Sequence, residues 1–203
     1  FSRVDSNTIC VEFADTNLLL PDPFQYVKAN RYHFPMPKFR CRTHGDLNGR
    51  NMFVDEEYKV WLIDFFRTGW GPVLRDFGEL ESVIKFELLA EQDLAKLFAF
   101  ERYLMQANSL REEFYPMPPF HSPEFGKACS SLSFLRHLAS NHYESDQTKE
   151  HEIGLLFYAL KMITWHGVST VDIIRTDVRR RHALFSASLL CQKLQNDQTG
   201  TIQ

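Results

Sequence analysis

Apolar positions divide the chain into two textures. From Val73 to Leu194 they recur at the three-to-four spacing of amphipathic helices. Leu74, Phe77, Leu80, Val83, Ile84 and Leu88 mark a helix over 73–90, and Leu94, Leu97, Phe98, Tyr103 and Leu104 a second over 93–107. Pro116, Pro118 and Pro119 then interrupt the pattern, since proline has no amide proton for a helix. Three more helices are predicted over 125–143, 151–165 and 172–194. The last carries Ile173, Ile174, Val178, Leu184, Phe185, Leu189 and Leu190 on one face.

Residues 1–72 read as short apolar runs between breakers. Thr8–Phe13 alternates as a strand does. Pro21-Asp22-Pro23 is a breaker cluster, with a short helical turn expected over Phe24–Lys28. His33–Lys38 carries two prolines and is expected to be extended. Asn51–Val54 and Val60–Ile63 are near-continuous apolar runs around the polar Asp55–Lys59, which predicts a well-buried β-hairpin with a longer loop. The pattern as a whole predicts an α+β fold, mainly α: a small hairpin followed by a body of about five helices.

A length of 203 residues allows one domain, or two small ones at most. Twenty-three basic and 26 acidic side chains leave a net charge of −3, which excludes a strongly basic nucleic-acid binder. Eighteen phenylalanines supply ample core, and suggest packing against something further. No apolar run approaches the roughly 20 residues of a membrane span, so no membrane partner is expected. No signal peptide is visible, and the expected location is cytoplasmic. Cys10, Cys41, Cys129 and Cys191 form no CxxC pair, so zinc is not expected and free thiols in a reducing compartment are.

The chemistry concentrates in Thr43-His44-Gly45-Asp46-Leu47-Asn48-Gly49-Arg50-Asn51 and, beyond the hairpin, in Leu62-Ile63-Asp64-Phe65. Asn51 follows Asp46 by five positions, and Asp64 follows Asn51 by thirteen. Phosphoryl transfer from Mg²⁺-ATP needs a carboxylate to orient the acceptor hydroxyl and take its proton. It also needs a carboxylate and an amide oxygen to hold Mg²⁺ against the phosphates. A loop, a hairpin and a second loop bring Asp64 back beside Asn51.

These motifs resemble the catalytic and metal-binding loops of the protein-kinase-like superfamily, whose H-R-D-x-x-x-x-N pattern has the same Asp-to-Asn spacing. Gly45, where protein kinases carry Arg, is similar to the aminoglycoside phosphotransferase and choline kinase branch. The run Asp64-Phe65-Phe66-Arg67-Thr68-Gly69 with Leu74–Leu80 is similar to phosphotransferase-like domains of large bacterial multidomain proteins. The resemblance implies that Asp46 is the catalytic base, that Asn51 and Asp64 bind Mg²⁺ and ATP, and that His44 and Asp76 support the site. Asp76-Phe77-Gly78 spells the kinase DFG motif, but it lies 25 positions after Asn51, inside a helical pattern, so Asp64 is taken as the metal ligand. By the same resemblance, 41–203 is a kinase-like C-terminal lobe and 1–40 the lead-in from a missing N-terminal lobe.

No Gly-rich phosphate loop and no V-A-I-K-like lysine strand is present. The chain, which starts at Phe1, is therefore expected to continue upstream, the alternative being a degenerate domain, and to bind ATP weakly or not at all by itself. Two functions remain open. One is an ATP- and Mg²⁺-dependent phosphotransferase acting on the hydroxyl of an unidentified acceptor. The other is a catalytically silent kinase-like module that binds partners in a larger signalling or conflict protein.

Other candidates take plainer readings. Arg179-Arg180-Arg181, with Lys161 and Arg175 nearby, is expected to be a solvated face, the alternative being a patch for phosphate or an acidic partner; Glu79, Glu81, Glu87 and Glu91 are likewise expected to be solvated, the alternative being attraction of a cationic acceptor. His137 and His142 are five apart, not the four of a helical metal pair. His44, Asp46 and Asn141-His142 lack the Gly-Asn-His context of a metallophosphoesterase. Trp61, Trp70 and Trp165 are expected in the core, with Trp70 also a possible pocket wall.

Overall fold

The computed structural model describes residues 10–13, 18–142, 147–164 and 173–199. Strand β1 (Cys10–Phe13) pairs antiparallel with β2 (Leu18–Pro21). The breaker cluster then starts a helix. The Asp22 carboxylate accepts the N–H groups of Phe24 and Gln25 at 2.9 and 3.1 Å, and Pro23 takes the first position of α1 (Pro23–Asn30), where a missing amide proton costs nothing. His33–Lys38 forms no regular element. Strand β3 (Arg40–Thr43) pairs antiparallel with β6 (Gly69–Pro72), closing a neck around 44–68. Within that excursion β4 (Met52–Val54) and β5 (Val60–Leu62) form a second antiparallel ribbon, Phe53 opposite Trp61.

The body consists of α2 (Arg75–Val83), α3 (Leu94–Leu104), α4 (Pro123–Ser140), α5 (Thr148–Thr164) and α6 (Ile173–Thr199). The predicted helix over 73–90 thus divides: α2 ends at Val83 and runs on as a wider π turn over Ile84–Leu88. Tyr143, Trp165 and Asp172 lie outside the described residues. The described residues form a mainly helical α+β fold.

Phenylalanines build the main core between α3, α4 and α6. Phe98 stacks on Phe185 with centroids 4.1 Å apart, and Phe100 and Phe125 meet edge to face at 5.1 Å. Phe13 of β1 sits edge-on to Phe185 at 5.0 Å, so the lead-in packs into the body. A second core joins α1, α5 and α6 through Tyr26, Leu156 and Leu190, with Ala159, Ala183 and Ala187 providing small contact positions.

Two ion networks are sealed in this body. The Glu81 carboxylate takes both nitrogens of an Arg136 fork, at 2.6 and 2.9 Å, and lies 2.9 Å from His151 Nε2. Burial alone would raise the Glu81 carboxyl, but Arg136 and His151 hold it well below the usual range. Glu101 meets Lys85 at 2.9 Å, His182 at 2.8 Å and Ser186 at 2.8 Å. Burial opposes ionisation there too, yet Lys85 and His182 hold the carboxyl down at about 2.

Four expectations are corrected. The β4–β5 ribbon is exposed, not buried: Phe53, Val54, Val60, Trp61 and Leu62 all face solvent. Near-continuous apolar runs imply cover on both faces, and here the strands pair mainly with each other and no body helix packs extensively on them. Trp61 on that ribbon and Trp70 on β6 are surface residues, 59% and 63% exposed. Glu79 and Glu81 are buried rather than solvated, because each finds a cation. The arginine run is only partly a solvated face: Arg181 is exposed and pairs with Asp177 at 2.9 Å, while Arg179 and Arg180 are half-buried. His137 and His142 are both exposed. All four cysteines are free thiols.

Candidate functional site

The loop leaving β3 is shaped by one glycine. Gly45 has φ +82°, and a Cβ there would come within 2.4 Å of the Arg67 carbonyl oxygen, so no side chain fits. Asp76, in the first turn of α2, accepts the N–H groups of His44 and Gly45 at 2.7 and 2.9 Å. Arg75 donates to the Gly45 carbonyl at 2.8 Å. His44 is buried, and its Nε2 donates to the Ile63 carbonyl at 2.9 Å, which joins this loop to the residue before Asp64.

The rest of the loop folds on its own polar groups. The Asp46 carbonyl accepts the Asn48 N–H at 3.0 Å and the Asn51 side-chain amide at 2.8 Å. Asn51 is buried, and its own carbonyl accepts the Ile63 N–H at 3.0 Å. Asp64 follows with φ 60° and ψ 61°. This left-handed geometry costs a non-glycine residue roughly 1 kcal/mol or more, and such strain gathers at functional positions. Among the described residues the Asp64 carboxylate has no hydrogen-bond or ion-pair partner.

Asp46, Asn51 and Asp64 line one cleft of about 340 Å³, completed by Glu79 from α2 and by Tyr158 and Lys161 from α5. Glu79 is only 2% exposed and accepts the Leu47 N–H at 2.9 Å. The Lys161 ammonium donates to Glu79 at 2.8 Å and lies 3.4 Å from Asp46 Oδ1. Arg67 approaches the same Asp46 oxygen at 3.9 Å. Burial, and then the Glu79 charge, pushes the Tyr158 hydroxyl upward, so it stays protonated. Arg67 and Tyr158 were not legible as site residues. Glu79 and Lys161 were weighed only as parts of charged helix faces, and only the packing of α5 on α2 brings them to the loop.

The donor set suits a hard divalent cation. With the Asn51 nitrogen committed to the Asp46 carbonyl, its Oδ1 is left as a ligand, and Asp64 supplies an unengaged carboxylate; Mg²⁺ takes one or two such protein oxygens. Among the described residues no group of three or more His, Cys, Asp or Glu is gathered as a metal cluster, and no helix is long and apolar enough to cross a membrane.

These features define a mainly helical α+β domain with a charged cleft at the root of an exposed ribbon. The profile of one protein family, ternary complex associated domain 9, matches residues 13–164, more than half of the chain. The chain belongs to that family. No curated protein and no solved structure matches it.

Proposed function

We propose that this domain carries the hydroxyl-directed half of a phosphotransferase, moving the γ-phosphoryl group of Mg²⁺-ATP to the hydroxyl of an acceptor. The observation that carries this reading is the convergence of Asp46, Asn51 and Asp64 on one cleft, with Asp64 in a left-handed conformation. Asp46 takes the acceptor proton. Asn51 Oδ1 and the Asp64 carboxylate hold Mg²⁺, which when bound neutralises phosphate charge. His44 and Asp76 keep the two loops in register. In this reading the phosphate clamp is supplied from outside the cleft, by an N-terminal lobe or another domain of the same polypeptide. The test is calorimetric titration of Mg²⁺-ATP into the chain and into an N-terminally extended version, each with and without Asp64→Ala. Binding by the extended protein that Asp64→Ala abolishes is the expected result. No binding by either version, or equal binding by the variant, overturns the proposal.

A second reading has its own support. The ribbon and its flank expose Phe53, Trp61, Phe65 and Phe66, the last 93% exposed, and the family's description speaks of ternary complexes. A partner-binding module without catalysis needs that surface and not the cleft. Substitution of Asp46 by Asn separates the two: loss of function in the full protein goes with chemistry, and no effect goes with a scaffold.

A further inference from the structure

Lys161 stands in the last turn of α5, about half exposed, with its ammonium in the cleft. Two of its three donors are placed, one on Glu79 Oε1 at 2.8 Å and one toward Asp46 Oδ1 at 3.4 Å. Among the described residues the third has no protein acceptor. Glu79 cannot follow if Lys161 moves. It is buried on α2, and its other oxygen is fixed by the Leu47 N–H at 2.9 Å and the Tyr158 hydroxyl at 3.5 Å. The lysine is therefore anchored at its inner side and open at its outer side, beside the group assigned as base.

We propose that Lys161 is a catalytic residue that meets the transferring phosphoryl group, and not only the counter-ion of Glu79. The inference rests on the phosphotransferase reading. The geometry is direct. An acceptor hydroxyl that gives its proton to Asp46 lies one hydrogen bond from that carboxylate, and the phosphorus it attacks lies one bond further on. A flexible lysine head 3.4 Å from Asp46 Oδ1 reaches the equatorial oxygens of that phosphoryl group with a small rotation. In the step, the acceptor oxygen–phosphorus bond forms while the bond from phosphorus to the bridging oxygen breaks. The electron pair of the broken bond leaves with the nucleoside diphosphate, and the acceptor proton passes to Asp46. The Lys161 ammonium stabilises charge that spreads over the equatorial oxygens.

The test compares affinity for Mg²⁺-ADP with affinity for Mg²⁺-ADP plus aluminium fluoride, which mimics the phosphoryl group in transit. It uses the N-terminally extended protein and calorimetry. The wild type is expected to bind the fluoride complex more tightly than ADP alone. Lys161→Met is expected to leave ADP affinity within about threefold and to remove a factor of roughly 10²–10³ from the fluoride complex, the scale seen when one oxyanion donor is removed. Lys161→Arg is expected to restore part of it. The double variant Lys161→Met with Glu79→Gln, which leaves no unpaired buried carboxylate, must show the same loss. If Lys161→Met or the double variant binds the fluoride complex as the wild type does, Lys161 is a counter-ion alone and the inference fails. If Asp64→Ala also binds both complexes normally, or the wild type binds neither, the phosphotransferase reading fails first and takes this one with it.

Discussion

The helical body and the β4–β5 ribbon use the same kinds of residue in opposite ways. In the body, most aromatic rings face inward, Phe98 on Phe185 and Phe100 against Phe125, with Phe134 and Phe157 the exposed exceptions on its helices. Its charges close on each other, as Glu81 does on Arg136 and His151. In the ribbon and the turn after it, Phe53, Trp61, Phe65 and Phe66 face solvent, and at its root the Asp64 carboxylate has no partner among the described residues. A two-stranded ribbon is marginal in water without cover. The body thus seals most of its rings and charges, whereas the ribbon leaves its rings open to solvent.

The contrast is broken most severely by opening a sealed network. Arg136→Met strips the buried Glu81 of its guanidinium and leaves His151 beside it, and removing one partner of a buried pair costs roughly 3–5 kcal/mol. Urea unfolding should show the midpoint lowered by that free energy divided by the slope, with the slope itself unchanged. An unchanged midpoint would remove the network from the account of stability.

Acid sharpens the comparison next. Glu101 is held down at about 2 in the folded chain, against an ordinary value of 4.5. A depressed carboxyl contributes stability above the unfolded value and loses it as pH falls toward the folded one. Stability on the order of 3 kcal/mol from this group should therefore be lost between about pH 4.5 and 2. Glu101→Gln should flatten that part of the stability–pH curve. An equally steep curve in the variant contradicts the assignment.

The smallest effect belongs to the ribbon. Trp61→Ser should change unfolding free energy by no more than about 0.5 kcal/mol, since nothing in the body packs extensively on this strand. A loss of several kcal/mol would mean that Trp61 is covered in solution.

How the regions were readable follows the same division. The helices were legible because one face of each meets a core, so apolar spacing records burial directly. The Asp46, Asn51 and Asp64 set was legible because its members lie on one short excursion whose length fixes their spacing. The ribbon's environment was not: Val60-Trp61-Leu62 has the composition of a buried strand whether or not anything covers it. Nor were the pairings of distant partners. Glu81 meets Arg136 and His151 across 55 and 70 residues, and Lys161 meets Asp46 across 115. Each charge alone is compatible with a solvated helix face. The π turn that carries Lys85 into the body also leaves no distinct mark in the apolar spacing.

The β3–β6 neck has a consequence for how the domain can vary. Everything from His44 to Thr68 departs and returns through one antiparallel pair, and its root is held again by the Ile63 N–H on the Asn51 carbonyl. The tip at Glu56 and Glu57 is therefore mechanically insulated from the two loops below. Lengthening such a tip adds only about 0.6 kcal/mol per doubling of the loop. The excursion behaves as a cassette, whose outer end can be refitted to new neighbours while Asp46 and Asp64 stay where they are.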